Sequence, residues 1–287
     1  MKKHIGIIGG SGLYGISGFE NTEKVEVKTP WGNPSDRITT AEAGDVKLAF
    51  LPRHGSGHTV MPSEINYRAN IYALKSLGVR QVISVGAVGS MKEEIKPGDM
   101  VIPSQFIDHT KRRESTFFGG GVVAHVSMAD PVCAGLCDVL ADAAEKSGAA
   151  AKRGGTYICM EGPQFSSRAE SNLYRQWGVD VIGMTNMPEA KLAREAEMCY
   201  ATLAMATDYD CWHPGHDSVT VEDILKTLGE NVEKAKNILK TAVEIIAGLP
   251  DCPACPRALE NAVLTRPEAM SAEAKKRLGV IIGRFLK

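Results

Sequence analysis

The sequence predicts an α/β fold: a three-layer αβα domain with helices on both faces of one sheet. Two observations point there. Short apolar, β-branched runs alternate with longer amphipathic stretches, as strands alternate with helices in α/β proteins. No repeat, low-complexity segment or long flexible linker interrupts that alternation up to about residue 248. The chain therefore divides into a main domain, 1–248, and a Pro- and Cys-containing tail, 249–287, with a short helix.

The strands are expected at residues 4–8, 24–28, 47–51, 81–85, 100–102, 155–160, 179–184 and 199–207, each rich in Val, Ile, Leu or other β-formers or fitting the alternation. The helices carry their own punctuation. Ser63 can cap one that runs to Leu77 and stops at Gly78. Asp130-Pro131 opens the next, with Val132, Leu136, Val139, Leu140 and Ala143 on one face. Ser167 and Glu170 form a capping box for a helix ending near Trp177-Gly178. Thr220 and Asp223 open the longest. Its stripe is Val221, Ile224, Leu225, Leu228, Val232, Ala235, Leu239 and Val243, and Gly248 and Pro250 end it. A last helix spans about Ser271 to Phe285.

Composition narrows the function classes. The 287 residues are 44% hydrophobic and 23% charged, and 33 basic against 34 acidic side chains leave a net charge of −1. Nothing global attracts nucleic acid or an anionic membrane. Lys111-Arg112-Arg113 lacks interleaved aromatics and reads as a solvated loop. No apolar run approaches a membrane span, and the one after Met1-Lys2-Lys3 covers only Ile5–Ile8 with no cleavage site following. The expected location is the cytoplasm.

Seven cysteines are an odd number, and five fall in core-like segments as buried thiols. Cys252 and Cys255 form a C-x-x-C in the tail. One such pair without a second is a poor zinc site, and it does not follow a redox-type βα unit. A structural clasp or two simple thiols is the expectation. Met61, Met184, Met187 and Met198 suit an irregular pocket better than a metal, and no metal site is expected.

The N-terminal "HIGIIGGSGLYG" fits G-x-G-x-x-G through Gly10, Gly12 and Gly15. A dinucleotide turn also needs a helix directly afterwards and an acidic residue about 20 positions on. The "ISGFENTEK" that follows is too short and broken for that helix, and the next strand ends Lys28-Thr29-Pro30 with no carboxylate. The glycines instead suit a smaller anion, held by converging backbone N–H groups and the Ser11 hydroxyl.

Two more strand ends offer anion donors. "FLPRHGSGH" puts Arg53 and His54 at the start of a Gly-rich loop, where a guanidinium can grip phosphate with two N–H groups and an imidazole can add another bond. "SVGAVGS" at 84–90 offers the backbone N–H of Ala87. Three such ends suggest one shared site at the carboxyl edge of a sheet. "AMATDYDCW" at 204–212 then closes an apolar strand with Asp208 and Asp210, whose i, i+2 spacing turns both carboxylates to one side. Crowded carboxylates resist double ionisation, so one can stay protonated and serve as an acid.

"GIIGGSGL", "RHG", "EGPQFSSRAE", "GMTNMPE" and "AMATDYDCW", in this order and spacing, resemble the trimeric purine nucleoside phosphorylase superfamily, and within it the S-methyl-5'-thioadenosine phosphorylases. The likeness covers residues 4–247. It implies a mixed, partly barrel-like central sheet, a homotrimer, and reversible phosphorolysis of S-methyl-5'-thioadenosine, with inorganic phosphate as co-substrate and no metal or organic cofactor. The resemblance places Ser11, Arg53, His54, the Ala87 backbone and Thr185 around phosphate. It places Phe165, Ser166, Asp208 and Asp210 around the base, with Asp208 as the catalytic acid. Met184 would pack on the ribose, Val221 and Ile224 would line the 5'-alkylthio pocket, and His125 would reach a neighbouring subunit's pocket.

Residue chemistry speaks to the same assignments. A carboxylate at Asp208 can protonate a departing purine near N7 and accept from a 6-amino group. In the 6-oxopurine branch of the superfamily that it resembles, an Asn stands at this position, so Asp208 favours adenine. The alternatives are thus a phosphorylase of inosine-like or methylthioinosine-like 6-oxopurine nucleosides, or a non-catalytic nucleoside-binding protein on the same scaffold. Three positions depart from the family pattern: Ser11 for a more usual Thr, Gly86 for a Thr, and Asn186 for a Thr or Ser. Gly86 removes one phosphate-binding hydroxyl.

Overall fold

The computed structural model describes residues 2–13, 19–214 and 221–286, with Ser11 and residues 221–225 described by backbone alone. Its elements run β1 (Lys3–Gly9), β2 (Glu20–Val25), β3 (Ile38–Ala43), β4 (Val46–Pro52), α1 (Tyr67–Ser76), β5 (Gln81–Ser90), β6 (Met100–Ile102), β7 (Gln105–His109), α2 (Ala134–Lys146), β8 (Ala151–Arg153), β9 (Thr156–Met160), α3 (Arg168–Gln176), β10 (Val181–Gly183), α4 (Asn186–Glu195), β11 (Cys199–Tyr209), α5 (Val221–Gly248) and α6 (Ala272–Ile282).

The strands form one mixed sheet in the order β2-β3-β4-β1-β5-β10-β9-β7, with β11 also on β5, β6 on β11, and β8 on β6. β5 is therefore the hub, parallel to β1 and β11 and antiparallel to β10. The sheet forks there and does not close. Helices lie on both sides: α1 packs with α4 and α6, while α2 and α5 pack together against β11. Because β5 and β11 are covered on both faces, they read as continuous apolar runs, and residues 199–207 of β11 are all buried.

Local chemistry explains where the elements depart from expectation. β2 ends before Lys28 because Thr29 folds into a tight turn, its Oγ1 donating to the Gly32 carbonyl at 2.6 Å. The polar β3, β7 and β8 lack an apolar signature, and their pairing is supplied by β4, β9 and β6. α1 starts after Asn66, whose side chain accepts from the Ala69 N–H, and not at Ser63. α2 starts after Cys133 and not at Asp130-Pro131. The capping box of Ser167 and Glu170 is present at α3, and Ser271 caps α6. Thr220, the expected cap of α5, lies outside the described residues.

The tail lies along the body. Asp251 pairs with Lys3 and Arg80, and Glu197 accepts from the Leu259 N–H at 2.9 Å and from Arg284. Residues 262–265 pair with the loop at 123–125: His125 N–H donates to the Ala262 carbonyl and Leu264 N–H to that of Val123, both at 2.9 Å. Among the described residues no helix is long and apolar enough to cross a membrane.

Candidate active site

The fork at β5 creates the site. β1 accompanies β5 only from Gln81 to Ser84, and β10 joins it only at Gly89–Ser90. Among the described residues, 85–88 have no strand partner on that edge. Gly86 is half-buried there and Ala87 is exposed. Diverging strands leave a crevice beyond their carboxyl ends, where open α/β sheets hold ligands. The ends of β1 and β4 border it, with Arg53 N–H bonded to the Gly9 carbonyl at 3.0 Å. After Gly10 the chain makes a 3₁₀ turn, Ser11–Leu13.

Arg53 is 2% exposed and its fork is already occupied. Nε and Nη2 donate to Glu189 at 2.9 and 3.2 Å, Nη2 also to Ser84 Oγ at 2.6 Å and the Ile8 carbonyl at 3.2 Å, and Nη1 to the Val85 carbonyl at 2.9 Å. Glu189 is fully buried and also accepts from the Tyr200 hydroxyl at 2.9 Å. Burial alone would favour the discharged guanidinium, but the Glu189 carboxylate more than offsets it and raises the Arg53 pKa. The expected two-pronged grip on phosphate is thus spent on Glu189. Nη1 is the atom that faces the crevice, because a Cβ on Gly86 would lie 3.8 Å from it.

That same Cβ would lie 3.8 Å from Thr185 Oγ1. Thr185 precedes α4 as its N-cap, is 9% exposed, and makes no side-chain capping bond. Gly86, Arg53 and Thr185 therefore meet at one point, ahead of the break at Met187 (φ −115°, ψ 129°) beyond which the regular turns of α4 begin. The approach of β10 depends on Gly183, where a Cβ would sit 2.0 Å from the Tyr157 hydroxyl. Only glycine fits there.

His54 Nδ1 lies 2.8 Å from the Val60 carbonyl. Burial pushes the imidazole down to about 4, against the bond to Val60 and with help from Arg53 and His58. In the neutral ring Nδ1 carries the proton and donates to Val60, so Nε2 is an acceptor and not the donor expected from sequence.

The base side lies at the ends of β9 and β11. The register of β11 on β5 shifts between Ala206 and Asp208, a bulge that re-aims the residues after it. Asp208 is half-buried and its Oδ1 accepts from Thr207 Oγ1 at 2.7 Å. Asp210 is 7% exposed, held by its N–H on the Ser90 carbonyl at 3.0 Å and packed against Gly89, and its Oδ2 has no hydrogen-bond partner among the described residues. Cys211 Sγ donates to the Ser166 carbonyl at 3.4 Å, which brings Ser166 beside the carboxylates. Phe165, next to it, is 84% exposed, unusual for a ring of that size.

Arg113 corrects the expectation of a solvated loop. Its side chain is buried and donates to Glu161 Oε1 at 3.0 Å, to the Tyr67 hydroxyl at 2.9 Å, and to the carbonyls of Met184, Met187 and Glu161 at 2.6–2.7 Å. It ties the loop before α3 to the segment entering α4, so it fixes Met184. Nothing in a Lys-Arg-Arg run announced that role, and Glu189 was visible only as the end of "GMTNMPE". His125 lies apart, exposed on the loop paired with the tail. The side chains of Ser11, Val221 and Ile224 lie outside the described ones.

The phosphorylase superfamily model matches residues 4–244. The S-methyl-5'-thioadenosine phosphorylase of Geobacter sulfurreducens is 57% identical over 287 residues, all of both chains. A methylthioadenosine phosphorylase sourced from an antarctic soil metagenomic library superposes with a TM-score of 0.93 at 53% identity, over 98% of this chain and 99% of that one. A variant of the adenosine/methylthioadenosine phosphorylase of Schistosoma mansoni, in complex with methylthioadenosine, gives 0.83 at 37% identity, over 91% and 96%.

Proposed function

The chain belongs to the phosphorylase superfamily, and we propose that it catalyses reversible phosphorolysis of S-methyl-5'-thioadenosine to adenine and 5-methylthioribose 1-phosphate. It is then a pentosyltransferase of purine and methionine salvage. The observation that carries this reading is the meeting of Arg53 Nη1, Gly86 and Thr185 Oγ1 at the same sheet edge that gathers Ser166, Asp208 and Asp210.

In the reaction a phosphate oxygen bonds to C1' as the bond from C1' to the purine nitrogen breaks. Positive charge builds on the sugar and negative charge on the leaving base. Phosphate held by Ser11, the Ala87 backbone, Thr185 and Arg53 Nη1 stabilises the first and is oriented for attack. Neutral His54 takes a phosphate hydroxyl through its acceptor nitrogen. Asp208 gives a proton to the base at N7, with Asp210 beside it accepting from the purine edge, and this neutralises the second charge. Phe165 and Ser166 hold the base, and Met184, fixed by Arg113, packs on the ribose. Val221 and Ile224 line the 5'-methylthio pocket with His125 of a neighbouring copy in a homotrimer. The step as derived uses phosphate as co-substrate and no organic cofactor or metal. The protein works on a small nucleoside in the cytoplasm, without nucleic acid or membrane.

The 6-oxopurine alternative is disfavoured because Asp208, with its proton directed at N7, leaves only an acceptor oxygen for the 6-position, which suits a 6-amino and not a 6-oxo group. Free base released from methylthioadenosine, adenosine and inosine tests the reading. Fastest release from methylthioadenosine supports it; preference for inosine selects the 6-oxopurine reading, and no release from any of the three selects a binding protein.

A further inference from the structure

The tail C-x-x-C lacked a second cysteine pair in sequence, and the fold supplies one. Cys133, Cys199, Cys252 and Cys255 bring their sulfur atoms within 4.8 Å of one another, and three of the four residues are buried. Cys133 is the N-cap of α2, Cys199 opens β11, and the C-x-x-C comes from the tail. The cluster therefore sits at the opposite end of β11 from Asp208, and it is independent of the phosphorylase reading.

The geometry is that of ligands and not of crosslinks. Cys133 Sγ lies 3.9 Å from Cys252 Sγ, and all four are free thiols. A disulfide needs about 2.05 Å between sulfurs. Four thiolates placed tetrahedrally about 2.3 Å from one ion stand about 3.8 Å apart. The Cys255 N–H points at Cys252 Sγ at 3.5 Å, so the C-x-x-C turn curls around its own first sulfur. Removing four protons to bind one divalent ion leaves a net charge of −2, and the surroundings meet it. Arg194 Nη1 is 4.0 Å from Cys255 Sγ, and Arg194 is fixed beside Cys133 by the carbonyls of Asp130 and Val132. The α2 N-terminus favours negative charge at Cys133.

We propose that Cys133, Cys199, Cys252 and Cys255 form a structural site for one zinc ion, which fastens the tail to the start of α2 and β11. Zinc suits four soft ligands in a closed, non-redox site. Because residues 262–265 of the tail hold the 123–125 loop, the ion also steadies the segment that bears His125.

The test uses the untagged full chain, purified with a phosphine reductant and dialysed exhaustively against metal-free buffer. Zinc is counted by plasma mass spectrometry. About one ion per chain is expected for the wild type, with the same content in Cys211→Ser and loss in Cys133→Ser and Cys255→Ala. Should the two variants fail to fold, exchange of the wild type with Co²⁺ gives an independent readout, the intense visible bands of a tetrahedral tetrathiolate. Zinc-free wild type with four alkylatable thiols, two mapped disulfides, Co²⁺ without those bands, or zinc retained by both folded variants each overturns the proposal.

Discussion

Arg53 and Glu189 form an ion pair that is closed to solvent, Nε to Oε2 at 2.9 Å, with side-chain exposures of 2% and 0%. The pair joins the end of β4 to α4 across the crevice beside β5. Glu189→Gln leaves the guanidinium buried without its countercharge, and breaking such a pair costs about 3–5 kcal/mol. Urea unfolding of the variant should show a loss of that size. An unchanged midpoint would mean that the pair does not hold the crevice together.

Gly86 leaves ordinary contact space at 3.8 Å from both Arg53 Nη1 and Thr185 Oγ1. The Cβ of Gly86→Thr fits there in ordinary contact, and one added hydroxyl bond to phosphate, worth about 1–1.5 kcal/mol, should lower the phosphate KM about 5–10-fold. Steady-state kinetics at saturating nucleoside checks it. A raised KM would place phosphate elsewhere.

Asp208 is assigned the proton for the departing base. Asp208→Asn keeps the size and most of the hydrogen bonding, so adenine release should fall by about 10²–10⁴, the range of general acid catalysis. Turnover reduced by that factor, with unchanged thermal stability, is expected. Wild-type turnover by the variant would remove Asp208 from the mechanism.

His54 sets a pH dependence whose sign follows from its depressed pKa. The ring is held down to about 4 in the fold, against an ordinary value of 6.5. Its contribution to stability is full above pH 6.5 and is lost as pH falls toward 4, because the unfolded chain takes up the proton first. The His54 ring resonances should stay constant from about pH 8 to about 5.5, while an exposed histidine titrates. A His54 midpoint near the ordinary value would contradict the buried neutral ring.

Periodic apolar runs made most strands and the capped helices legible, since burial on both faces leaves its mark in composition. The polar strands β3, β7 and β8 were invisible because their stabilisation comes from neighbours. Arg53, Thr185 and Asp208 could be picked from motifs, but not that Glu189 occupies the Arg53 fork. Arg113 looked like a surface cation, and burial among side-chain and carbonyl oxygens emerges only when distant loops meet. Cys133 and Cys199 lie more than fifty residues from Cys255, so no spacing rule could join them to the tail.

The proposed nucleophile is phosphate, not water. Free adenine and inorganic phosphate should be followed together during turnover of S-methyl-5'-thioadenosine. One phosphate consumed for each adenine released, with no release when phosphate is withheld, is the predicted result. Adenine released at the same rate without phosphate, and with none consumed, would contradict it.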